Sequence, residues 1–253
     1  MSAYSWRLNY IRENPTSGSI QGERISCREI PMTPKPDKPT ANPNPAQPVW
    51  PAALAVLAVG GLHLSLPEPL TFGPSWLLLA VVAVLLVPVL VARMRGSFDL
   101  NQRLGYVLLG VVTAAMLWSL YLLISSLPKH TLPPGSLLRS AAALWATNVL
   151  VFACWYWRLD AGGPHARHIN TCHIKGDFLF PQMTLAPGTA KPLDPHWTPG
   201  FVDYLFLAFN TSTAFSPTDS PVLSRWAKVA MMVQSSISLA TVALLAARAV
   251  NIL

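Results

Sequence analysis

The residues closest to a metal-binding pattern stand together in the segment 158–200. Four of them follow the spacing H-x₂-H-x₃-C-H: His165, His168, Cys172 and His173. Transition metals prefer such imidazole and thiolate ligands, but structural zinc motifs pair their ligands across two turns or knuckles. All four lie within nine consecutive residues, and the further histidine of this segment, His196, is distant from them in sequence. We interpret the segment as a solvated basic loop, so the sequence predicts no metal site and no cofactor.

No catalytic motif accompanies this loop. The chain has no HExxH, no GxSxG, no phosphate-binding GxxxxGK[ST] and no GxGxxG. All 11 carboxylates lie outside the apolar cores of the predicted helices, so none is placed to relay protons inside a membrane. The sequence therefore predicts no catalytic residue and no enzyme.

A second set of polar residues lies within apolar sequence. Four are consecutive, near the end of the segment 201–215, and three share one helical face of the last apolar segment. The seven are Asn210, Thr211, Ser212, Thr213, Gln234, Ser238 and Thr241. Polar groups at membrane depth must find partners. They therefore either line a pore or cavity or hold helices together through polar packing.

Long apolar segments make up much of the chain, and the last of them carries Gln234, Ser238 and Thr241. Of the 253 residues, 52% are hydrophobic and 11% are charged, against about 25% charged in a typical soluble domain. The apolar segments are 50–66, 76–92, 104–127, 137–157 and 222–253. About 20 residues cross the hydrocarbon core as a helix. The sequence predicts an all-α, multi-pass transmembrane helical bundle, and it excludes a disordered protein, a disulfide-stapled mini-protein and an ordinary soluble enzyme.

The segment 201–215, FVDYLFLAFNTSTAF, decides whether the bundle has five or six helices. Its first half is apolar and aromatic, and its second half is polar. It is either a span buried among the other helices or a re-entrant half-helix, since irregular backbone at depth needs protein or a water-filled cavity around it.

Basic residues orient the chain. The tail before Trp50, the connection around 93–103 and the loop 158–200 together carry 13 Lys and Arg, which predicts a cytoplasmic N-terminus. A re-entrant segment gives 15 basic residues inside and three outside, whereas a sixth span gives 14 and four. We slightly prefer six spans, because Arg248 then ends on the basic side.

Four regions follow from these patterns. Residues 1–49 form a disordered, Pro-rich cytoplasmic tail, and 50–157 form four transmembrane helices. Residues 158–200 form a basic cytoplasmic loop, and 201–253 contain the pore-loop-like segment or fifth helix and the final transmembrane helix. Met32 opens the Pro-rich stretch, so the natural start is Met1 or Met32. The net charge of +7 indicates orientation in a lipid bilayer rather than a nucleic-acid partner.

Residues 155–253 resemble a family of uncharacterised bacterial multi-pass membrane proteins. The resemblance lies in WYWRLDAGGP, DFLFPQM, VDYLFLAFNTSTAFSPTD and MMVQSSISLATVALLAARAVNIL. It implies a location in the bacterial inner membrane. The family has no established activity to carry over.

The same stretch is similar in outline to the pore module of potassium channels. There, an aromatic pore helix runs into T-x-x-T-V-G-Y-G, a turn and an inner helix ending in A-R. Here Phe206–Asn210 matches the pore helix, Thr213–Pro217 takes the place of the filter, and Ala247–Arg248 ends the inner helix. Phe215 and Pro217 stand where the filter needs glycines, and the charge rule gives the opposite orientation. The resemblance implies an ion-channel-like pore without potassium selectivity.

Two functions remain open at this point. The C-terminal segment forms a pathway for an ion or small solute, with a homo-oligomer as one possible assembly. Alternatively, the chain is a structural or partner-binding membrane protein with no transport activity. A water-accessible cavity between residues 210–213 and the last helix favours the first, and a dry contact favours the second.

Overall fold

The computed structural model describes residues 47–126, 133–169, 176–184, 197–213 and 220–250. The Pro-rich tail and the choice between Met1 and Met32 therefore lie outside the described residues. The helices are α1 (Trp50–Leu64), α2 (Leu77–Met94), α3 (Phe98–Ser126), α4 (Pro134–Leu159), α5 (Pro164–Ile169), α6 (Pro181–Thr184), α7 (Phe201–Thr213) and α8 (Arg225–Val250). Within these ranges the only strand-like pairing is an isolated antiparallel bridge between Phe178 and Val222.

Four helical segments are long and apolar enough to cross a membrane: Leu77–Met94, Phe98–Ser126, Gly135–Gly162 and Arg225–Ala247. The remaining apolar segment, 50–66, forms α1, which has 15 residues and falls below the length of about 20 that spans the hydrocarbon core. The predicted all-helical class is confirmed for the described residues, with four helices long and apolar enough to cross a membrane.

The central helix of the bundle is α4, which packs against α1, α3, α7 and α8. In its apolar window 67% of the residues are buried, against 22% for α2 and for α8. It ends where Ala161, Gly162 and Gly163 all have positive φ, a conformation that glycine adopts without strain. The chain turns sharply there, and this turn ends α4.

One end of the bundle, called the basic end below, is where α1, α3, α7 and α8 begin and α2 and α4 end. Gln47, just before α1, accepts hydrogen bonds from Arg93 of α2 at 3.0 Å and from Arg167 of α5 at 3.2 Å. Its amide donates to Thr198 Oγ1 at 3.3 Å, shortly before α7. These bonds bring together the described parts of the three segments that carry most of the positive charge.

Candidate functional site

Helices α7 and α8 run in the same direction. Phe178 packs edge-on against Tyr204, in the first turn of α7, and against Trp226, the second residue of α8, with centroid distances of 6.4 and 6.2 Å. Further along both helices, Ser238 Oγ donates a hydrogen bond to the Ser212 carbonyl. Because these contacts advance in the same direction along α7 and α8, the two helices are parallel.

Helix α7 is also short. Its 13 residues extend over about 20 Å, against about 30 Å for a hydrocarbon core. It ends at Thr213, among α4 and α8, and the described chain resumes at Ser220. By then it is at the basic end again, since Leu223 N donates to the Asp177 carbonyl at 2.8 Å.

A buried polar cluster joins α4, α7 and α8 around Gln234, which is fully inaccessible. Its amide nitrogen donates to the Ala208 carbonyl at 2.7 Å and to Ser212 Oγ at 2.8 Å. Its amide oxygen accepts from the Tyr156 hydroxyl at 2.6 Å, and its backbone carbonyl accepts from Asn148 Nδ2 at 3.2 Å. Gln234 lies roughly 14 Å along α8 from Arg225, near half the thickness of a hydrocarbon core.

The other predicted residues fall into two groups. Thr211 and Thr241 are buried and donate to carbonyls of their own helices, Thr211 to Leu207 at 2.8 Å and Thr241 to Ser238 at 2.8 Å. The last turn of α7 is more open, because Asn210 and Thr213 are only half-buried. The structure thus gathers Thr211, Ser212, Gln234 and Ser238 between α7 and α8.

Tyr156 and Asn148 complete the cluster and are absent from the residues predicted to form it. Tyr156 stands in the run WYWR, which is typical of a membrane-interface belt, but its side chain is fully buried. Asn148 is a lone amide in an apolar segment, and that is a usable signal because a buried amide needs partners. Its Oδ1 is buried, and no described residue gives it a hydrogen bond.

A second network fastens the chain after α4 to the start of α7. The fully buried Asp160 accepts hydrogen bonds from the Tyr204 hydroxyl and from Asp177 N. Arg167 donates to the carbonyls of Asp160 and Trp157 at 2.7 and 2.9 Å, and its guanidinium lies 5.1 Å from the centre of the Tyr204 ring. Burial lowers the pKa of Arg167, whereas Tyr204 and Asp160 raise it.

Nothing in the described part of the chain groups three or more His, Cys, Asp or Glu residues in a way that would hold a metal ion. His165 instead stacks on Phe98 with ring centroids 3.4 Å apart. Cys172, His173 and His196 lie outside the described residues.

Comparison with protein-family models, curated proteins and solved structures finds no match for the chain. Its function must therefore be argued from the geometry.

Proposed function

We propose that this chain is an integral membrane protein whose C-terminal part forms a passage for a small cation. In this proposal α7 is a re-entrant half-helix that enters the membrane from the basic end, and α8 spans the membrane beside it. The observation that carries the proposal is the parallel course of α7 and α8, both starting at the basic end. A sixth full span would require consecutive helices to run in opposite directions.

The distribution of charge supports the same arrangement. With α7 re-entrant, Arg225 and Lys228 join the basic side, which then carries 15 of the 18 Lys and Arg. The positive-inside rule assigns this side to the cytoplasm. The N-terminus is then cytoplasmic and the C-terminus lies on the opposite face, in the bacterial inner membrane that the family resemblance implies.

The direction of α7 favours a cation as the passing species. The C-terminal end of a helix carries a partial negative charge, and half-helices in transporters use such ends to hold cations. Here that end lies inside the bundle, and the half-buried Asn210 and Thr213 add amide and hydroxyl oxygens. We assign these two residues to the wall of the passage.

Of the remaining five polar residues, three then hold the half-helix in place: Ser212, Gln234 and Ser238. Gln234 and Ser238 bind the backbone of α7 directly. Thr211 and Thr241 are bonded within their own helices. The proposed wall of the passage therefore contains two of the seven residues predicted from the sequence, Asn210 and Thr213.

The alternative is a structural or partner-binding protein, and one observation favours it. The amide of Gln234 makes all its hydrogen bonds to protein, as expected for polar packing between membrane helices. Under this alternative the last turn of α7 faces protein rather than water. Both functions are compatible with a homo-oligomer, because the apolar window of α8 is only 22% buried in one chain.

Ion flux in proteoliposomes tests the passage. The purified chain should conduct Na⁺, K⁺ or Rb⁺ above protein-free vesicles, and Asn210→Leu and Thr213→Val should each reduce that flux. Ser236→Ala is the matched control, because Ser236 is exposed on α8 and bonds to the Met232 carbonyl of its own helix. Absence of flux for common cations would overturn the passage and leave the structural alternative.

A further inference from the structure

A cavity at the basic end, separate from the Gln234 cluster, contains two guanidinium groups. It lies among α1, α2, α3 and α4, has a volume of about 40 Å³, and is lined by Arg93 and Arg158 together with Asn101 and Gly105. A single water needs roughly 10–15 Å³ on this measure, so there is room for a group of several atoms. The remaining walls are mainly aliphatic.

Arg158 is 91% buried, since only 9% of its surface is accessible. Its Nη1 donates to the Asn101 carbonyl at 3.0 Å. Within the described residues, Nε and Nη2 have no hydrogen-bond partner, and neither is fully enclosed. Donors of a buried charge therefore face accessible space, where a ligand or a water molecule must accept their hydrogen bonds.

Arg93 adds a second positive charge to the same cavity. Its Nη2 donates to the Gln47 carbonyl at 3.0 Å, which is a neutral acceptor. The described residues supply no ion pair for either Arg93 or Arg158. Two unneutralised guanidinium groups lining one small cavity repel each other, and an anion between them removes that cost.

The fold makes specific room for the Arg158 head group. A Cβ on Gly105 would lie 1.9 Å from Arg158 Cζ, so only glycine at this position of α3 permits the observed guanidinium position. Gly105 therefore leaves the space that the guanidinium occupies beside the cavity.

We propose that the Arg93–Arg158 cavity binds a phosphate group. Guanidinium forks bind phosphate oxygens in pairs, and basic pockets between helices at the cytoplasmic side hold anionic lipid head groups. The aliphatic walls, which include Val56, Leu86 and Leu90, suit the adjoining glycerol and acyl carbons of a phospholipid. This site is independent of the proposed cation passage.

Native mass spectrometry of the full chain in neutral detergent tests the site. The probes are phosphatidylglycerol, which is anionic, and phosphatidylcholine, which is zwitterionic. We expect the wild type to retain phosphatidylglycerol in preference, and Arg158→Gln and Arg93→Gln to weaken that retention by about tenfold or more, because charge-assisted hydrogen bonds are lost. Arg103→Gln is the matched control, because Arg103 is exposed at the same end and does not line the cavity.

Gly105→Ala provides a second test that changes no charge. It displaces the Arg158 guanidinium, so phosphatidylglycerol retention should fall as it does in Arg158→Gln. Should Arg158→Gln not fold, Arg93→Gln and Gly105→Ala decide the question. Equal retention of phosphatidylglycerol by wild type, Arg93→Gln and Gly105→Ala would exclude a phospholipid as the source of the phosphate group.

Equilibrium dialysis with radioactive inorganic phosphate distinguishes the two sources of the group. Arginine-dependent retention of the lipid alone identifies a phospholipid, whereas arginine-dependent binding of inorganic phosphate identifies a free phosphate. Each result supports the site. If neither probe binds in an arginine-dependent way, the proposed site is refuted.

Discussion

The Tyr156 hydroxyl of α4 donates a hydrogen bond to Gln234 Oε1 of α8 at 2.6 Å, and both side chains are fully buried. The amide nitrogen of the same Gln234 binds α7 at the Ala208 carbonyl. A single side chain thus connects three helices near mid-depth. Because water is absent from a bilayer core, each of these polar groups depends on the others for a partner.

Replacing Gln234 should loosen all three helices. Gln234→Leu leaves the Tyr156 hydroxyl and Ser212 without their buried partner, so we expect the free energy of unfolding to fall by about 1–3 kcal/mol. Denaturant titration in detergent, followed by circular dichroism, measures the change. Ser236→Ala on the exposed face of α8 should stay within about 0.5 kcal/mol, and an equal effect of the two substitutions would contradict the structural role of Gln234.

The side on which the C-terminus lies distinguishes a re-entrant α7 from a sixth span. If α7 returns to the basic end, a reporter fused after Leu253 reports the face opposite to a reporter fused ahead of Trp50. Paired fusions to alkaline phosphatase and green fluorescent protein measure this, since the first is active only outside and the second fluoresces only inside. Both termini on one face would contradict the re-entrant arrangement.

Long apolar segments were predictable from sequence, whereas the partners of polar residues were not. The run that forms α2 is almost uniformly aliphatic, and such a run has one solution in a membrane, a helix. The contact between Gln234 and Ser212 depends on how two helices are rotated against each other. Periodicity places Gln234 and Ser238 on one face but does not name the helix that faces them.

The parallel course of α7 and α8 shows the same limit. Local composition leaves the segment 201–215 open, because a polar second half suits both a buried span and a half-helix. The parallel course is visible in the contacts of Phe178, which packs against the first turns of both helices and lies in a segment with no strong pattern of its own. Tyr156 is a further case. The run WYWR predicts a residue at the membrane interface, whereas packing places the Tyr156 side chain in the interior of the bundle.

Removing the Tyr204 hydroxyl should weaken the network at the start of α7. Tyr204→Phe takes one donor from the buried carboxylate of Asp160, and we expect a loss of about 1–3 kcal/mol. Hydrogen exchange at the amide of Leu223, which bonds to Asp177 beside this carboxylate, should become faster. Tyr121→Phe is the matched control, because Tyr121 is 60% exposed, and acceleration of exchange by both variants would show that the effect is not specific.

Two glycines of α3 should respond oppositely to alanine. Gly110 has open space where a Cβ would stand, so Gly110→Ala should raise stability by up to about 1 kcal/mol through the better helix propensity of alanine. Gly105→Ala gains the same propensity, but its Cβ would stand 1.9 Å from Arg158 Cζ, so the guanidinium must move. Its charge-assisted hydrogen bond to the Asn101 carbonyl is then lost, at a cost of about 1.5–3 kcal/mol. Thermal unfolding in detergent measures both, and stabilisation by Gly105→Ala would show that Arg158 does not need the space that Gly105 leaves.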